Sequence, residues 1–65
     1  MQEQIVTQYQ VEWQATLAEQ LVIQGEIVVE AFSQIEAQML ARVIVSHNQQ
    51  CSLHKIACIT CEAIA

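Results

Sequence analysis

The sequence predicts an all-α fold: three short helices at about residues 3–24, 26–46 and 48–64, forming one small domain over residues 1–65 that oligomerisation completes. Three observations lead there. Residues 26–46 space their apolar side chains at a helical period. Proline is absent and Gly25 is the single glycine, so little punctuates the chain. Residues 47–61 carry two histidines and three cysteines at spacings of 4-3-4-3, which a helix gathers into one stripe.

In the first segment, Ile5, Tyr9, Trp13, Leu17 and Leu21 make an i, i+4 ridge, with Val11, Ala15 and Val22 on the far side. A helix with two apolar faces belongs between neighbours. "ATLAEQLV" consists mostly of strong helix formers, and Gly25 suits a helix C-terminal cap. The competing reading is an N-terminal β-strand at 5–15 followed by helices. "IVTQYQVEWQA" alternates apolar and polar residues and has the β-branched and aromatic content of a half-buried strand. A lone strand needs a partner, which another copy could supply.

In the second segment, Ile35, Val28, Met39, Phe32 and Val43 fall within about 80–160° on a helical wheel counted from Ile27. Glu30, Gln34, Gln38 and Arg42 lie opposite. Odd positions from Ile27 to Val45 are apolar except Ser33, a period of two that suits a strand. Val28, Phe32, Leu40 and Ile44 spoil the polar face of such a strand, so helix is preferred. In the third segment, Ser46 and Gln49 match a capping box, S-x-x-Q, and predict a corner near 46–49. Leu53, Ile56, Ala57, Thr60 and Ile64 then share one helix face.

The chain has 65 residues, 54% hydrophobic and 14% charged. A body of this size buries roughly 60% of the surface its unfolded chain exposes. So much apolar surface points to self-association or a protein partner. The net charge is −5, with seven Glu against one Lys and one Arg. Two cations cannot neutralise a run of phosphates, which excludes nucleic-acid binding, and the acidic balance disfavours anionic membranes. No apolar run exceeds four residues (56–59), against the twenty or so of a membrane-spanning helix. The first residues lack a basic start and an apolar stretch, so a cytoplasmic location is expected.

These features predict a small self-associating structural or protein-interaction module, an assembly or accessory subunit rather than an enzyme, needing no cofactor. Trp13, Val28, Phe32, Ile35, Met39 and Val43 would carry its contacts. No glycine-rich phosphate loop or H-E-x-x-H motif is present. The alternative is a zinc- or copper-binding protein using His47, Cys51, His54, Cys58 and Cys61. One helix offers two metal ligands comfortably, because i and i+7 stand about 10 Å apart along the axis. A full tetrahedral site would have to draft Glu or water within the chain, or take ligands from a second subunit. Cys58-Ile59-Thr60-Cys61 is a C-x-x-C, but a redox pair belongs at a helix N-terminus, and this one would end a helix.

Overall fold

The computed structural model describes residues 5–64 and overturns the all-α expectation. Among these residues three antiparallel strands form one sheet, and a single α-helix packs on one face of it. The elements run β1 (Thr7–Ala18), β2 (Leu21–Ala31), α1 (Gln34–Gln49), a 3-10 turn (Leu53–Lys55) and β3 (Ile56–Ala63). The sheet order is β2-β1-β3. Since both outer strands run antiparallel to β1, they are parallel to each other, and α1 is the crossover between them.

The first predicted helix, 3–24, is instead a β-hairpin; its residues 3 and 4 lie outside the described region. The alternation in 5–15 is the true signal. Val11, Trp13 and Ala15 are buried on the helix side of β1, and Gln10, Glu12 and Gln14 point the other way. The wheel's two apolar faces arise because an alternating sequence, wound at 100° per residue, spreads onto both sides. The hairpin turn carries no Gly, Asn or Asp. Ala18 pairs with Leu21 across Glu19 and Gln20, and Gln20 adopts a left-handed φ of 70°. A side chain there costs roughly 1 kcal/mol, which glycine avoids. Leu17 bulges out of register just before it.

Gly25 is no helix cap. It sits mid-strand opposite Trp13, and a Cβ there would lie 2.5 Å from the indole Cζ2. The glycine opens the slot into which the ring packs, the usual meaning of glycine inside a strand.

The predicted 26–46 helix divides in two. Residues through Ala31 extend β2, following the period-two pattern; α1 begins only at Gln34. The start is a capping box at 33–36. Ser33 Oγ accepts from the Glu36 amide at 3.1 Å, and the Glu36 carboxylate accepts from the Phe32 amide at 2.7 Å. Ser46 and Gln49, which the sequence offers as a helix start, lie in the last turn. Ser46 Oγ donates to the Cys51 carbonyl at 2.6 Å, and Gln50 closes the helix at φ 54°, ψ 48°.

The predicted 48–64 helix is also absent. After the 3-10 turn, the β-branched run "IACIT" becomes β3 and pairs with β1 from Tyr9↔Ala63 to Ala15↔Ile56. Ile59 is the extra residue of a bulge, since Glu12 pairs with Thr60 and Trp13 with Cys58.

The core lies between sheet and helix. Val11, Val29, Ala31, Ala37 and Ala41 form one cluster. Trp13, Ala15, Val45 and Ile56 form the second. No polar residue among those described is buried.

Candidate interaction surface

α1 meets the sheet through small side chains. Ala37 and Ala41 are fully buried and Val45 nearly so. Ile35, Met39 and Val43, at i, i+4 and i+8, therefore project from the opposite side of the helix. They are 73%, 61% and 54% exposed, and Phe32, one turn before Ile35, is 51% exposed. Leu53 joins the ridge from the 3-10 turn. It lines a shallow apolar groove with Met39, Val43 and Arg42, whose guanidinium donates to the Leu53 carbonyl at 3.3 Å. Arg42 Nε is inaccessible and has no hydrogen-bond partner among the described residues.

Three of the six residues expected to make contacts, Ile35, Met39 and Val43, thus share the outer face of α1, and a fourth, Phe32, is exposed just before the helix. The other two lie elsewhere. Trp13 is 9% exposed and belongs to the core. Val28 is exposed, but it pairs with Gln10 on the sheet face turned away from α1. The wheel groups Val28 with Met39 only because it continues a helix through residues that form a strand.

The sheet face away from α1 is polar. Glu12 stands opposite Glu26, Gln8 opposite Glu30 and Gln10 opposite Glu62. Like charges directly across a ladder destabilise it. Here neutral donors intervene: the Gln10 amide donates to the Glu26 carboxylate, and Thr60 Oγ1 donates to Glu12 at 3.2 Å. Four of the seven glutamates thus lie on the side opposite the apolar ridge. Glu36, on the ridge side, turns its carboxylate back onto the helix start.

The histidine–cysteine stripe belongs to a helix that does not form. His47 is in the last turn of α1, Cys51 follows the helix, His54 is in the 3-10 turn, and Cys58 and Cys61 are on β3. Among the described residues no three His, Cys, Asp or Glu side chains are grouped to hold a metal ion. Cys58 and Cys61 come together across the bulge and face α1. Their thiols donate to the carbonyls of Gln38 (3.6 Å) and Gln34 (3.9 Å). Burial pushes the Cys58 thiol pKa up, Arg42 opposes this, and Cys61 adds to it. Burial also raises Cys61, against a hydrogen bond from Gln38. Metal ligation and thiol exchange both need the thiolate, so this setting works against either.

No described helix is long and apolar enough to cross a membrane. No family model matches the chain, and no curated protein or solved structure is significantly similar to it.

Proposed function

We propose that this protein is a small self-associating structural module whose copies join through the outer face of α1. The observation that carries the reading is the row Ile35, Met39 and Val43, bulky and more than half exposed, with Phe32 also exposed just before the helix, while the helix meets its own sheet through Ala37, Ala41 and Val45. An exposed apolar surface of this kind favours a protein partner.

The distribution of charge favours a second copy as that partner. A chain with a net charge of −5 repels itself. The carboxylates of Glu12, Glu26, Glu30 and Glu62 lie beyond the sheet, so two copies meeting helix to helix hold them on the far sides. Such a contact is isologous, the ridge of one copy packing on the same ridge of the other. A standard interface takes about 800 Å² from each partner, about a sixth of this chain's 4856 Å².

Sedimentation velocity of the wild type and of Met39→Glu tests the reading. The variant should keep its far-UV circular dichroism, because Met39 touches solvent, and lose the helix-mediated contact. An unchanged distribution of species in Met39→Glu and in Val43→Glu would overturn it.

A further inference from the structure

The sheet has two edges, and α1 treats them differently. β3 is short, is bent by the bulge at Ile59, and is tied to the helix. Gln34 Nε2 donates to the Cys61 carbonyl at 2.8 Å, and the Cys58 and Cys61 thiols donate back to helix carbonyls. Bulges and covering elements are the ordinary protections of an edge strand. β2 has neither. It runs for eleven residues, Leu21–Ala31, contains no Lys, Arg or Pro, and among the described residues pairs on one side only. Among the described residues no side chain of α1 hydrogen-bonds to it.

We infer that β2 is a strand-addition edge, and that its occupant is β2 of a second copy, antiparallel and centred on Gly25, joining two sheets into one of six strands. Antiparallel addition about a two-fold axis pairs residues whose numbers have a constant sum. Side chains stay on their own faces only if the sum is even. The glutamates discriminate among the even registers. Centring on Glu26 sets Glu26 against its own copy. Centring on Val28 sets Glu26 against Glu30. Like charges directly across a ladder are destabilising. Centring on Gly25 sets Glu26 against Gln24 of the other copy and Val22 against Val28. Ile23 then meets Ile27. Val22 and Val28 are both about half exposed in the single chain, and this register gives each an apolar neighbour. Gln24 facing Glu26 repeats the amide–carboxylate contact that Gln10 already makes with Glu26. A register centred on Ile27 also avoids Glu–Glu pairs, but it sets Val28 against Glu26 and leaves Val22 outside the ladder.

This edge is a separate surface from the α1 ridge, and the two are tested separately. Gln24 is exposed and outward, so charge can be placed there without disturbing the core. Gln24→Glu puts two carboxylate pairs across the proposed dyad, and Gln24→Lys puts two ion pairs there. Sedimentation equilibrium, done in the Met39→Glu background to remove the helix contact, should find association weakened about tenfold by the first and strengthened by the second. Register is read by mixing a Val22→Cys chain with a Val28→Cys chain, oxidising, and mapping disulfides by mass spectrometry. The expected product links position 22 of one chain to position 28 of the other. Shifts in the same direction for both charge variants, a monomer at every concentration in the Met39→Glu background, or a map lacking the 22–28 link would overturn the inference. None of these results bears on the helix contact, which the response of the wild type to Met39→Glu decides.

Discussion

The two sides of α1 are built from opposite materials. Toward the sheet the helix presents Ala37, Ala41 and Val45; toward solvent it presents Ile35, Met39 and Val43, with Phe32 beside them. The bulk of the core comes instead from the strands, through Val11, Trp13, Val29 and Ile56. Small helix residues let the axis settle close onto the sheet, and the strand side chains fill the gap. The larger residues are then left more than half exposed, with Leu53 beside Met39 and Val43. The difference teaches that size, not only hydropathy, tells which side of a helix meets its own fold.

The sharpest way to break the inner side is Trp13→Ala. It empties the slot beside Gly25 and should cost about 3–5 kcal/mol, which for a chain of this size means loss of the cooperative transition in urea. Ala41→Leu addresses the same side from the helix. A fully buried alanine has no room to grow, so overpacking should cost about 1–3 kcal/mol, seen as a lower denaturation midpoint. Met39→Ala is the matched change outside. Measured in dilute solution, it should stay within about 0.5 kcal/mol of the wild type; an effect as large as that of Ala41→Leu would mean the two sides have been assigned backwards. Gln20→Gly relieves the left-handed position in the hairpin and should raise stability by up to about 1 kcal/mol.

The smallest expected effect is a pH dependence at the seam of α1 and β3. Burial raises the thiol pKa values of Cys58 and Cys61 above the ordinary 9.0. Above pH 9 the unfolded chain therefore releases these protons before the folded chain does. Stability should decline as pH rises through that region, and Cys58→Ala should flatten the decline in a urea series at pH 8 to 10.

Part of this architecture is legible in the sequence. The alternation of Val11, Trp13 and Ala15 is there, as is the period of two from Ile27 onward. Against both stands the lack of a turn residue between Ala18 and Leu21, where Gln20 performs the turn against its own preference. The helix stripe of Ile35, Met39 and Val43 is readable, but its start is easily misplaced. The S-x-x-E box at Ser33 and Glu36 is as plain as the S-x-x-Q at Ser46 and Gln49, and it marks the true beginning. The histidine–cysteine spacing of 4-3-4-3 misleads, because a strand with a bulge also brings Cys58 and Cys61 onto one face. Nothing local distinguishes the two, since the bulge exists only through pairing with β1, more than forty residues away (Trp13↔Cys58).

The strand order has a consequence for the course of folding. Of the three described strands, β1 precedes the others in sequence and lies at the centre of the sheet, and β3, which completes the sheet, follows them. Until β3 docks, the hairpin leaves one side of β1 bare, and Ala15 has yet to meet Ile56. The pairing Tyr9↔Ala63 closes a loop of more than fifty residues, an entropic cost that only the finished segment can offset. Until then the folding chain presents two open strand edges rather than one, and a second hairpin can take the place reserved for β3.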